Sequence, residues 1–254
     1  MNALHGLRIV LTRPAGQTAL IAARIRAAGG EVLTLPLLDI IPPTEAVVPE
    51  VLQAQMARAD EVVFISPNAV RMALQVLPAA DWPPDCGLVA VGQGTARALR
   101  EAGVARVRAP VDGADSEAVL AMPAFQHVEG RRVLLVRGEG GRELLAQSLS
   151  VRGAQVEHAV VYRRRARPPC VSSLRQHERL LFVVTSSEAL RTLAGAAQSA
   201  DDAAWLKRQT WVFAHPRIAR LAETLGLNRG MIAPSPEDDA VFAALLACAP
   251  SLIS

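Results

Sequence analysis

Cysteine is scarce in this 254-residue chain. Cys86, Cys170 and Cys248 lie far apart with no Cys-x-x-Cys, so neither a disulfide framework nor a zinc site is expected. His5, His127, His158, His177 and His215 are equally dispersed and no His-Glu-x-x-His occurs, so no metal is expected. Aromatic residues make up 4% of the chain, too few for the stacking platforms of a single-strand nucleic-acid binder. Lys207 is the only lysine, and the arginines are scattered apart from Arg163-Arg164-Arg165 with Arg167. With a net charge of only +3, no nucleic-acid partner is expected. The longest apolar stretch, Ala240 to Ser254, is broken by Pro250 and falls short of the ~18 residues a membrane span needs. No basic region followed by an apolar core opens the chain, so a signal peptide is not expected. These absences point to a cytoplasmic protein without a membrane partner.

What is present is the material of a packed core. About half the residues are apolar (51%) and 20% are charged, which excludes a disordered tail or a fibrous repeat. The length suits two domains of roughly 100–150 residues.

The chain repeats itself. Gly6-Leu-Arg-Ile-Val-Leu-Thr-Arg13 reads against Gly130-Arg-Arg-Val-Leu-Leu-Val-Arg137 at an offset of 124. Val62-Val-Phe-Ile-Ser-Pro-Asn-Ala-Val-Arg71 matches Phe182-Val-Val-Thr-Ser-Ser-Glu-Ala-Leu-Arg191 at 120, and Val89 to Arg97 lies over Val212 to Arg220 at 123. Three ordered blocks at nearly one offset make the chain two copies of one α/β unit. Each block opens with an apolar run (Ile9 to Leu11, Val62 to Ile65, Leu88 to Val91) that reads as a strand buried on both faces. A helical stretch follows, such as Gln17 to Ala28 with Leu20, Ile21, Ile25 and Ala28 as its apolar face, stopped by Gly29-Gly30. Strands alternating with helices predict an α/β fold of two doubly wound parallel-sheet lobes.

In such sheets ligands bind beyond the carboxyl ends of the strands. The loops there are Thr12-Arg13-Pro14, Ser66-Pro67-Asn68, Gly92-Gln93-Gly94-Thr95, Arg137-Gly138-Glu139-Gly140-Gly141-Arg142, Thr185-Ser186-Ser187 and His215-Pro216-Arg217. They carry hydroxyls, glycines and arginines ahead of helix N-termini, a chemistry suited to anionic groups. If the lobes face each other, these loops line one cleft.

Neither Gly92-Gln-Gly94 nor Gly138-Glu-Gly140 completes Gly-x-Gly-x-x-Gly, since Arg97 and Glu143 stand at the last position. Two readings stay open for them: turns needing positive φ, or backbone contact to an anion. Ser66, Asn68, Thr185, Ser186 and Ser187 sit where helix N-caps belong, and capping competes with ligand contact. Tyr162, the only tyrosine, follows the apolar run Ala159-Val160-Val161. Its phenol is either an amphipathic filler or a proton donor for a leaving hydroxyl.

The ordered set Val10-Leu-Thr-Arg-Pro14, Phe64-Ile-Ser-Pro-Asn-Ala-Val70, Ala90 to Arg97, Leu135 to Glu143, Val161-Tyr162-Arg163 and His215-Pro-Arg-Ile-Ala219 resembles the uroporphyrinogen-III synthase family, from about residue 7 to 242. The resemblance implies an enzyme that takes hydroxymethylbilane, a linear tetrapyrrole carrying acetates and propionates, eliminates its terminal hydroxyl and closes the ring with inversion of the last pyrrole. The family's route passes through an azafulvene and a spiro-pyrrolenine, with no cofactor and no metal. It implies a discontinuous lobe of residues 1–37 and 170–254, a second lobe of 42–163, and linker strands at 38–41 and 164–169. It places the family's tyrosine on Tyr162, assisting departure of the hydroxyl, and a cleft serine on Ser186. Where some relatives carry hydroxyl residues this chain has Arg217-Ile218, and Arg217 is a candidate carboxylate ligand.

The substrate-binding candidates are thus Thr12, Arg13, Ser66, Asn68, Gly92, Thr95, Arg137, Gly138, Arg142, Ser186, Ser187, His215 and Arg217. A monomer is expected, in transient contact with the preceding bilane-forming enzyme. The competing readings are a two-lobed sensor of a small polyanion and an inactive homologue. Turnover, not fold, separates them.

Overall fold

The computed structural model describes residues 3–83, 86–141 and 143–250. In chain order the strands are β1 (Arg8–Leu11), β2 (Glu31–Thr34), β3 (Leu38–Ile41), β4 (Glu61–Phe64), β5 (Gly87–Ala90), β6 (Arg132–Gly138), β7 (Gln155–Ala166), β8 (Leu181–Val184), β9 (Thr210–Phe213) and β10 (Gly230–Ile232). The helices are α1 (Ala19–Ala27), α2 (Pro49–Arg58), α3 (Pro67–Val76), α4 (Gln93–Glu101), α5 (Ser116–Ala121), α6 (Leu144–Val151), α7 (Val171–Leu174), α8 (Ser187–Gly195), α9 (Ala200–Arg208), α10 (Pro216–Thr224) and α11 (Asp238–Cys248). Alternation of strand and helix gives the α/β fold with parallel sheets that the sequence pattern predicts.

The chain packs as two compact units, Met1–Asp39 with Arg165–Ser254 and Ile40–Arg164. Its two passages from one to the other fall inside β3 and β7. Unit 1 holds five parallel strands in the order β2-β1-β8-β9-β10. The second sheet runs β3-β7-β6-β4-β5, with β7, β6, β4 and β5 parallel to one another. Val89 makes a further parallel bridge with Arg108 beyond β5.

Both sheets are covered on two faces, which is why their strands read as unbroken apolar runs rather than alternating ones. Along β1, Val10 packs with Phe182 and Trp211, while Ile9 and Leu11 turn the other way onto Ile21 and Val241. Along β4, Val62 and Phe64 pack with Val70 and Leu134, while Val63 meets Val133 and Leu149. Each such side chain contributes about 1.5–3 kcal/mol on burial. The few aromatics are core material: Trp211 stacks on Phe182 with centroids 4.7 Å apart, and Phe64 on Trp82 at 5.2 Å.

One sequence expectation for α1 is corrected. Leu20 is 60% exposed, whereas Ile21, Ala22 and Ile25 are buried. Ile21 and Ile25, four residues apart, set the inward face, and Leu20 lies about 100° around the helix from Ile21. The helix ends where Gly29 takes φ +87°, open to glycine at no steric cost.

Candidate functional site

At the carboxyl end of the unit 2 sheet, the β6–β7 ladder slips. Arg137 faces Val160, but Gly138 faces Tyr162, leaving Val161 as an extra residue. Such a bulge re-aims the side chains beyond it. Here Val161 and Tyr162, neighbours that a regular strand would point to opposite faces, are both buried against one apolar cluster. The tyrosine is 4% exposed, which disposes of the surface-filler reading.

Its ring lies directly on Gly138. A Cβ at that position would stand 2.5 Å from the ring's Cζ and 2.6 Å from Cε2, so only glycine lets the ring in. The Tyr162 hydroxyl is 3.1 Å from Ser66 Oγ. Ser66 ends the loop after β4 and is the N-cap of α3, its Oγ accepting the Ala69 N–H at 3.1 Å. The Glu139 N–H donates to the Tyr162 carbonyl at 2.8 Å. Arg164 holds its guanidinium carbon 5.9 Å from the tyrosine ring centroid and donates to the Glu139 carbonyl at 3.0 Å.

Gly138, Tyr162 and Arg164 border a recess of about 170 Å³. Ile65, Val91, Leu135 and Leu145 form its apolar lining, with Tyr162, Arg164 and Ser116 among the polar groups. That volume is below the ~300–1,000 Å³ of sites that enclose a drug-sized ligand.

The loop after β6 is tied down from within. Arg137 is buried, donating to the Gly140 carbonyl at 2.5 Å and pairing with Glu143 at 2.9 Å. His158 Nδ1 lies 3.3 Å from the same guanidinium. Burial, and secondarily the Arg137 charge, push the His158 imidazole below its ordinary range, while Glu143 opposes them. The neutral ring accepts through Nδ1 and carries its proton on Nε2. Glu139 accepts the Thr44 N–H at 2.5 Å. That bond, then the Thr44 side chain, hold its carboxyl below the usual range and keep it ionised.

The remaining candidates divide by what engages them. In unit 2, Gly92 is the N-cap of α4 with extended backbone (φ −170°). The expectation of positive φ is corrected there: what demands glycine is close approach, since a Cβ would sit 2.6 Å from that of Ala114. Positive φ is found instead at Gly140 and Gly141. Thr95 is buried in α4, and Asn68 Oδ1 accepts from Arg71 at 3.1 Å. Arg142 lies outside the described residues.

In unit 1, Thr12 is buried and donates to the Val183 carbonyl at 2.7 Å, joining β1 to β8. Arg13 pairs with Asp238 and donates to the Pro236 carbonyl at 2.6 Å. Ser186 caps α8 through the Ala189 N–H at 3.0 Å, while Ser187 Oγ is buried without a hydrogen-bond partner among the described residues. His215 is the N-cap of α10, Nδ1 accepting the Arg217 N–H at 3.0 Å.

The geometry brings Ser66, Gly138 and Tyr162 together in unit 2, and Arg137 lines the same recess while tied to its own loop. Sequence reading passed over Arg164 and Glu139, although the charge run at 163–165 flagged the first. Among the described residues no group of three or more His, Cys, Asp or Glu is placed to hold a metal ion, and no helix is long and apolar enough to cross a membrane.

A family model described as "Uroporphyrinogen-III synthase HemD" matches residues 19–243. The chain is 32% identical over 245 residues to uroporphyrinogen-III synthase of Salmonella typhimurium, covering 94% of this chain and all of that one. It is 35% identical over 198 residues to the enzyme of Synechococcus elongatus, with 74% of each covered. Among solved structures, a mutant uroporphyrinogen III synthase from Thermus thermophilus superposes with a TM-score of 0.63 over 98% of this chain and 99% of that one, at 19% identity. The Helicobacter pylori protein gives 0.62 over 97% and 99%, at 18%. At those identities the structural matches speak for the fold.

Proposed function

The chain belongs to the uroporphyrinogen-III synthase family, and from that premise we propose how its residues carry the reaction. The reaction itself is the family's: hydroxymethylbilane loses water and closes, with inversion of the terminal pyrrole, to uroporphyrinogen III in tetrapyrrole biosynthesis. The observation that carries the assignment of roles is the Tyr162 hydroxyl, held against Ser66 at the carboxyl end of a parallel sheet, with the tyrosine lining a recess of about 170 Å³.

Tyr162 is the catalytic residue. Its phenolic proton passes to the leaving hydroxyl as the C–O bond breaks, the electron pair goes to oxygen, and water departs. The adjacent pyrrole nitrogen supplies electrons to the methylene left behind. When the new carbon–carbon bond has formed and the pyrrole sheds a proton to regain aromaticity, the phenolate takes one back. The apolar lining of the recess keeps the methylene from water. Arg164, beside the ring, serves a carboxylate of the substrate.

The other loop residues assigned to the acetates and propionates are Asn68, Gly92 and Arg142 in one unit and Ser186, Ser187, His215 and Arg217 in the other, whereas buried Thr12 and Thr95, Gly138 under the tyrosine ring and Arg13 paired with Asp238 act by shaping their loops. Arg137 contributes by shaping its loop. The same reading makes the two units copies of one fold. It is supported by the repeated blocks, which pair β1 with β6, β8 with β4 and β9 with β5. It is supported too by strand orders that correspond, β2-β1-β8-β9-β10 against β7-β6-β4-β5 with the Arg108 bridge last. The stretches 38–41 and 164–169 link them. A cytoplasmic monomer that meets the bilane-forming enzyme transiently completes the proposal.

The test generates the bilane in situ, oxidises the products and separates the porphyrin isomers. The bilane closes unaided to the type I isomer, so dominant type III establishes the activity and type I alone overturns it. A second result is expected from Gly138→Ala. The added Cβ displaces the Tyr162 ring, so the rate of type III formation should fall at least ~10-fold while overpacking costs about 1–3 kcal/mol of stability. A parental rate with parental unfolding would mean that the ring has room to spare.

A further inference from the structure

We propose that Ser66 is a positioning residue for the reaction: it donates its hydroxyl proton to Tyr162 Oη, freeing the tyrosine's own proton for the substrate and receiving the phenolate left after transfer. The inference rests on Tyr162 as the proton donor.

The argument is one of hydrogen-bond capacity. A serine hydroxyl has one proton and two lone pairs. One lone pair of Ser66 Oγ is taken by the Ala69 N–H at 3.1 Å. The bond to Tyr162 at 3.1 Å can run in either direction. If the tyrosine donates, its proton is engaged away from any substrate. If the serine donates, both groups are satisfied and the phenolic O–H is the one group left to face the recess. Accepting from a backbone N–H also makes Ser66 a better donor, because hydrogen bonds in a chain polarise one another. Behind it stands the N-terminus of α3, ten residues long (Pro67–Val76), whose dipole favours negative charge at that end. Every element of the contact therefore becomes stronger as charge develops on Tyr162 Oη, which is the condition for lowering a barrier rather than merely binding.

Unit 1 shows that helix capping alone does not call for this partner. Ser186 caps α8 through the Ala189 N–H at 3.0 Å with the same geometry. Yet no second tyrosine exists to partner it, since Tyr162 is the only one in the chain. A cap serine works there without a tyrosine, so the pairing in unit 2 is additional to the cap.

A double-mutant cycle on the full chain separates the roles. Ser66→Gly removes the hydroxyl but costs a cap only a few tenths of a kcal/mol. It should lower kcat for type III formation about 10-fold, as expected for a hydrogen bond to a developing charge, with KM unchanged within about 2-fold. Placed on Tyr162→Phe, the same change should have no further effect, and Ser66→Thr should restore kcat. A loss of equal size in both backgrounds would overturn the inference in favour of direct substrate contact. So would a loss confined to KM, failure of threonine to rescue, or no loss at all. If instead Tyr162→Phe keeps parental kcat, the tyrosine reading itself falls and takes this one with it.

Discussion

Replacing Tyr162 by phenylalanine should slow formation of the type III isomer about 10²-fold, equivalent to ~2.7 kcal/mol of barrier, while the protein stays folded. The two effects separate because of how the side chain is held. Its ring lies on Gly138 and is buried with Val161 and Ala159, and phenylalanine keeps all of that packing. What is lost is one hydroxyl, bonded to Ser66 at 3.1 Å. Ser66 still accepts the Ala69 N–H, and its own proton, which loses the tyrosine oxygen, sits in a part-buried position, so the stability change should stay near 1 kcal/mol. Because unaided closure continues, the fraction of type I product should rise as the enzymatic rate falls. Circular dichroism melts together with isomer-resolved initial rates test both halves. A variant within 2-fold of the parental rate would remove Tyr162 from the chemistry and leave the site as a positioning device only.

How far this arrangement can be read from the sequence depends on the range of the interaction. Strands β1, β4 and β5 are legible because burial on both faces writes an unbroken apolar run. The caps at Ser66 and Ser186 are legible because the N–H groups they accept from lie three residues on. The bulge is not: in Ala159-Val160-Val161-Tyr162 an extra residue changes no local pattern, although it decides where the phenol points. Nor can sequence see a contact between residues 96 positions apart, as Ser66 and Tyr162 are. Arginines are the hardest to place. Arg13 and Arg137 stand in anion-facing loops, yet Arg13 is engaged by Asp238, 225 residues away, and Arg137 by the carbonyl and carboxylate of its own loop. Glycine divides in the same way. Gly140 answers to its own dihedral, but Gly92 and Gly138 answer to Ala114 and Tyr162, which no local signal announces. A cut by internal repeat would fall near Glu129, inside the unit Ile40–Arg164, because similarity between segments does not say which of them pack together.

Glu61, which no sequence motif marks, anchors a buried ion triad in unit 2 whose loss should cost more or less stability according to which partner is removed. The first residue of β4, it has a side chain 3% exposed and pairs with Arg108 and, at 2.9 Å, with Arg131. Gly87 makes room for the group, since a Cβ there would lie 2.6 Å from both Glu61 Oε2 and Arg108 Nη2. The arginine side chains are 45% and 35% exposed, so without Glu61 they can turn their charged ends to water along their apolar stems. Glu61 has no such escape. Glu61→Gln, which keeps hydrogen-bonding capacity and leaves the arginines partly solvated, should therefore cost about 1–2 kcal/mol. The double variant Arg108→Met, Arg131→Met strands a buried carboxylate and should cost ~3–5 kcal/mol. Urea unfolding of both variants measures the difference through their midpoints at a common slope. The triad sits at the amino end of β4 and the groups proposed for catalysis beyond its carboxyl end, a strand length of roughly 13 Å away. Activity per folded molecule should thus be unchanged in either variant. If the glutamine variant were the less stable of the two, the arginines and not the carboxylate would be the groups that burial commits, and the exposed guanidinium faces would have to be held in place by the very pair they form.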